Sequence, residues 1–183
     1  LWLGLMRVGE AGGAVAIISR LVAPFPNKLF PEVPKDHPAH GAMIMNLSAN
    51  MLGLDNAATP LGLKAMDELQ KDNPSKTVAS NSQIMFLVLN TSGLTLIPVS
   101  VMALRASAHA VNPADIFLPI LLATYFSTIV GLITVAIWQK INLFNKTILT
   151  YLGVISAAIG LIIWSFMNMS PEQISTYSSV FGN

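Results

Sequence analysis

Residues Ile116–Trp138 read IFLPILLATYFSTIVGLITVAIW, a run without one charged side chain. A helix rises about 1.5 Å per residue, so roughly 20 apolar residues cross the hydrocarbon core of a bilayer. The run therefore predicts a membrane-spanning helix, with Trp138 at an interface. Thr147–Met169 predicts a second span, also uncharged, with Trp164 near its far end and Pro171 and Glu172 stopping it. The whole chain agrees with this reading. Of its 183 residues 53% are hydrophobic and 10% charged, with a mean hydropathy of +0.61, whereas a soluble domain carries about 25% charged residues.

Upstream of these spans the apolar pattern is interrupted by polar residues. Gln83–Leu104 is long enough to cross, but its middle reads Leu89-Asn90-Thr91-Ser92-Gly93-Leu94-Thr95 and Pro98 follows. Irregular backbone at membrane depth is tolerated only where it is buried in protein or lines a cavity. The segment is therefore read as a broken transmembrane helix. Gly41–Leu54 is apolar but too short to cross comfortably, and it carries Asn46, Ser48 and Asn50. It is read as a re-entrant or half-crossing element. Asp55-Asn56-Ala57-Ala58-Thr59-Pro60 comes next, then the amphipathic piece Leu61–Leu69, read as a surface helix. Leu1–Val22 is read as the remainder of a further transmembrane helix, with Arg7 and Glu10 spaced to pair and Gly12 and Gly13 allowing close packing. Because Leu1 opens the chain inside an apolar run, without Met or a basic leader, further residues are expected before it. The fold class expected is an all-α integral membrane protein, a helical bundle with one half-crossing segment and one broken helix.

Basic residues test the half-crossing assignment. If Gly41–Leu54 spans fully, Arg20, Lys28, Lys35 and Arg105 face Lys64, Lys71, Lys76, Lys140 and Lys146, a split of four to five. If it returns to its own side, only Arg105 opposes the other eight. Eight to one obeys the positive-inside rule and places those eight in the cytoplasm.

Two polar clusters carry the functional expectation: Asn46, Ser48, Asn50, Asp55, Asn56 and Thr59 in the first, and Asn90, Thr91, Ser92 and Thr95 in the second. Transporters place substrate sites where discontinuous helices meet, and an Asn amide offers both donor and acceptor. Asp55 is the acid nearest apolar surroundings, a functional candidate by position. The plainer alternative is that these side chains bond between helices and hold the bundle together. His37, His40 and His109 are read as loop residues, and Asp36, His37 and His40 as solvated rather than metal ligands. A net charge of +1 leaves no global field for nucleic acid. The absence of cysteine excludes thiolate chemistry. No phosphate-cradling loop, nucleophile elbow or zinc-protease helix is present. No enzyme activity, cofactor or metal is expected.

Phe30-Pro31-Glu32-Val33-Pro34, His37-Pro38, the run Gly41–Leu54 and Asp55-Asn56-Ala57-Ala58-Thr59-Pro60-Leu61-Gly62 together resemble the spore maturation protein A family. Leu89–Pro98 is similar to that family's second signature. The resemblance implies a gate-type, nucleoside recognition domain of the kind found in concentrative nucleoside transporters and ferrous iron transport protein B. It also implies a spore maturation protein B-like membrane partner, separate or fused, and a bacterial cytoplasmic membrane location. In spore formers the pair is linked to dehydration of the spore core. The organisation expected is a gate-type domain over 1–138, an additional transmembrane helix over 139–169 and a polar tail or linker over 170–183. The function expected is a transport or channel-type subunit for a small polar solute, nucleoside-like or ionic, in contact with the lipid bilayer and open to homo-oligomerisation. The alternative is an assembly subunit without transport activity of its own.

Overall fold

The structure, a computed structural model, describes residues 29–34 and 36–168, with only the backbone of Asp55, Phe166 and Met167. The helix read over Leu1–Val22, its Arg7–Glu10 pair and the tail 170–183 lie outside the described residues. Among the described residues the elements are helical, and no strand occurs.

Helix α1, Ala39–Met51, starts immediately after Pro38 and is rich in Ala and Met. It runs unbroken through Asn46, Ser48 and Asn50, so these residues do not interrupt a helix as the sequence suggested. The interruption falls after them, at Gly53, whose φ is +64°. Gly53 N–H donates to Asn50 O and Leu54 N–H to Ala49 O, both at 2.9 Å. These two bonds close the helix end as a Schellman motif with glycine at its left-handed position. Helix α2, Asp55–Lys71, begins at once and packs back along α1 to make a helical hairpin. The sequence divided this stretch at Pro60; the structure keeps Pro60 inside one helix. Proline there removes one backbone hydrogen bond, and packing on α1 holds the helix together across it.

The loop after α2 is stitched by amides. Asn73 and Gln83 are buried, and Asn73 Nδ2 reaches Gln83 Oε1 at 3.1 Å and Val78 O at 2.9 Å. Helix α3, Asn81–Ser92, opens with a reciprocal capping box between Ser80 and Gln83. It stops at Gly93, left-handed with φ +45°. Residues 94–98 then run without helix to α4, Val99–Ser107. The interruption read between Leu89 and Pro98 is thus present in the backbone.

A 3₁₀ turn, Pro113–Ile116, leads into α5, Phe117–Trp138, and α6 is Lys146–Met167. Helix α5 packs on α3 at Gly131, where an added Cβ would sit 3.0 Å from Val88 Cγ1. The core joins Phe30, Met43, Met85, Phe86, Leu132 and Ile148.

At 22 residues each, α5 and α6 are about 33 Å long. Residues 113–138 and 146–165 are long and apolar enough to cross a membrane, yet only 22% and 11% of their most apolar windows are buried in the chain. A core helix of a soluble protein would be mostly buried. Here Phe126, Ile137, Trp138, Val154, Leu161 and Trp164 face outward, the arrangement a lipid surround stabilises. The four shorter helices have 13, 17, 12 and 9 residues, which gives them lengths of about 14–26 Å.

Candidate functional site: where the two interruptions meet

The end of α1 and the gap between α3 and α4 are in direct contact. The carbonyl of Met51, the last residue of α1, accepts the amides of Leu96 at 2.8 Å and Ile97 at 3.2 Å. A helix ends with carbonyls that have no partner inside it, so the broken segment completes the first helix. Ser100 Oγ donates to Gly53 O at 2.6 Å from the far side of the gap. The approach is close enough that a Cβ on Gly53 would collide with Ile97 O and sit 2.9 Å from Val99 N.

Side chains from both clusters meet one helical turn before the breaks. Asn50 Nδ2 donates to Asn90 Oδ1 at 2.8 Å and to Asn46 Oδ1 at 3.5 Å. Asn46, 2% exposed, donates to Ala58 O at 2.8 Å across the hairpin. It fits because Gly62 carries no side chain, since a Cβ there would lie 2.9 Å from Asn46 Nδ2. Asn90 Nδ2 donates to Phe86 O at 2.8 Å. The result is one chain of amides from α2 through α1 to α3.

The remaining predicted residues divide by their surroundings. Ser48 is buried and bonds back to Ile44 O. Thr91 and Ser92 bond back to Leu87 O and Leu89 O, a use of hydroxyls local to the helix. Thr95 lies at the gap, where its amide donates to Thr124 Oγ1 at 3.2 Å. Asn56 and Thr59 are exposed on α2. Asp55 begins α2, and its side chain is outside the description. His40, read as a loop residue, belongs instead to the first turn of α1, where it is 7% exposed with neither ring nitrogen paired. His37 pairs with Asp72 at 2.7 Å. Among the described residues no three of His, Asp and Glu converge as metal ligands.

A cavity of about 90 Å³ lies beside the meeting point. Leu47, Asn50 and Met51 of α1 line it on one side and Leu89, Gly93 and Leu94 on another. Among the described residues the other lining comes from α5, with Tyr125 and Thr128, and α6, with Tyr151. Tyr125 Oη and Ser156 Oγ join these two helices at 2.6 Å. Sequence reasoning missed the α5 contribution, although Thr124, Tyr125 and Thr128 share one helical face of an otherwise apolar run. That polar stripe was the available signal.

The family model described as nucleoside recognition, Gate, matches residues 1–108. Spore maturation protein A of Bacillus subtilis (strain 168) is 50% identical over 132 residues, covering 72% of this chain and 67% of that protein. No solved structure matches.

Proposed function

The chain belongs to the nucleoside recognition, or gate, family alongside spore maturation protein A, and we propose on that premise that it is a membrane transport or channel-type subunit for a small polar solute. One observation carries the reading: the interrupted backbone between α3 and α4 closes on the carbonyl end of α1, with Asn50 and Asn90 bridging the two. Transporters bind solute where half-helices meet, because exposed helix ends supply hydrogen-bonding groups without a full charge. In the proposed arrangement the α1–α2 hairpin enters the membrane and leaves on the side it came from. Its helices are short for a bilayer core of about 30 Å, and the eight-to-one basic distribution supports that course. Segment 81–107 crosses with its break at depth, and α5 and α6 cross fully. The protein sits in the bacterial cytoplasmic membrane as a multi-pass gate domain over 1–138 with a further helix over 139–169. It works with a spore maturation protein B-like subunit.

A second reading has its own support. Asn46 directs an amide N–H at Ala58 O and its oxygen at Asn50, so part of the polar cluster fastens helices. On that reading the chain is an assembly subunit.

Flux separates the two. The purified chain and its partner are placed in liposomes and tested with nucleosides, small neutral solutes and monovalent ions. Transport is expected, falling at least tenfold in Asn50→Ala and Asn90→Ala while the complex stays assembled. Absence of flux for every solute, together with dissociation of the complex by the same substitutions, favours assembly and defeats transport.

A further inference from the structure

The amide chain has a fixed polarity, and that polarity leaves one acceptor unused. Asn46 and Asn90 each direct an N–H at a backbone carbonyl, Ala58 O and Phe86 O, both at 2.8 Å. Each therefore presents its oxygen, an acceptor, toward Asn50. Asn50 lies between two acceptors and donates to both through its single NH₂ group. Its own Oδ1 then has no hydrogen bond among the described residues.

Thr128 supplies a second unused group. Four other hydroxyls on α5 and α6 bond to the carbonyl four residues back: Thr124 at 2.8 Å, Thr134 at 2.8 Å, Thr150 at 2.8 Å and Ser156 at 2.6 Å. Thr128 Oγ1 departs from this pattern, being buried without a partner. A buried polar atom left unpaired costs roughly 1–3 kcal/mol, so Thr128 Oγ1, with the open Asn50 acceptor beside the same void, calls for a ligand. Asn50 and Thr128 both line the cavity of about 90 Å³.

We propose that this cavity binds a small uncharged primary amide or a molecule of the same hydrogen-bonding class. The ligand's N–H donates to Asn50 Oδ1, and its carbonyl accepts from the Thr128 hydroxyl. At about 90 Å³ the cavity has room for a small solute of this class. Among the described residues no Asp, Glu, Lys or Arg lines the cavity, and an ion buried against this lining would lose its hydration uncompensated. Leu47, Leu89, Ile129 and Leu132 suit an apolar methyl or methylene. Thr128 and Ile155 lie beyond residue 108, where the family match ends. The inference rests on the reading of the meeting point as a solute site and names the solute's class.

Saturation-transfer NMR on the full chain in detergent micelles tests it, with acetamide as the probe and acetate as its charged counterpart. Transfer to the acetamide methyl is expected in the native chain. It should weaken at least fivefold in Thr128→Val, which keeps the shape and removes the hydroxyl, and vanish in Ile155→Trp, which fills the void. Acetate should show none. Absence of transfer to acetamide in the native chain, or equal transfer in the native chain and both variants, overturns the proposal. Liposome flux is read separately. Acetamide binding without flux removes the transport reading and keeps this site, whereas flux without acetamide transfer removes the site alone.

Discussion

Asn50 on α1 donates to Asn90 on α3 across 2.8 Å, tying together positions 40 residues apart in the chain. The bond joins the two polar clusters and sits where the hairpin meets the broken segment, beside the backbone bonds from Met51 O that also close that junction. Inter-helix hydrogen bonds within a membrane measure about 0.6 kcal/mol on average and about 1.7 at most. A double-mutant cycle of Asn50→Ala and Asn90→Ala, read by unfolding in mixed micelles, should give a coupling of about 0.6–1.7 kcal/mol. Additive singles would show that the bond carries no energy of its own.

Gly62 and Asn46 should behave as an interlocked pair. Gly62→Ala places a methyl 2.9 Å from the Asn46 amide and should destabilise the hairpin by about 1–2 kcal/mol, the cost of local overpacking. In an Asn46→Ala background the obstruction is gone. The same Gly62→Ala change should then be neutral or stabilising by roughly 0.5–1 kcal/mol, the ordinary preference of a helix for alanine. The unfolding midpoints of the four chains check this, and an equal loss in both backgrounds would contradict the packing described.

Two glycines of α1 and its turn should respond oppositely to alanine. Gly53 combines φ +64° with a Cβ position blocked by the backbone of residues 97–99, so Gly53→Ala should cost about 2–4 kcal/mol. Gly41, in the first turn of α1, has nothing within 4 Å of its Cβ position, and Gly41→Ala should be neutral or mildly stabilising. Thermal unfolding of the two variants side by side measures the contrast.

The membrane course of the hairpin is open to labelling, since the chain has no cysteine of its own. Single cysteines at Lys71 and Lys146 should react with an impermeant maleimide from the same side, and one at Arg105 from the other. Reaction of Lys71→Cys and Lys146→Cys from opposite sides would rule out a returning hairpin.

The sequence made the long elements legible and the junction only partly so. Ile116–Trp138 was plain because an uncharged run of bilayer length has few alternative readings, and α5 spans nearly those residues. The gap after Ser92 was legible from Gly93 and Pro98, whose backbone preferences oppose a continuous helix. Asn46, Ser48 and Asn50 misled as breakers, because amides and hydroxyls can be satisfied within or between helices without bending them. Pro60 misled as a boundary, because contact with α1 outweighs one lost hydrogen bond. Pairing of Asn50 with Asn90 was beyond reach, since it depends on how far apart segments pack. Thr128 stood in view, but its unused hydroxyl becomes evident only against the back-bonded hydroxyls around it.

The Met51 carbonyl, completed by amides from Leu96 and Ile97, bears on how the chain is made. Ile97 leaves the ribosome 46 residues after Met51, by subtraction of the two positions. At about 5–20 residues per second the interval is roughly 2–9 s. For those seconds the tip of the hairpin holds a polar group that lipid cannot satisfy. The hairpin should therefore wait in a wet or chaperoned setting until the later strand of backbone arrives, so that the two segments enter the bilayer in a single step. A translation stall placed between them should leave a trapped, protease-sensitive intermediate, and its release should restore protection of both segments together.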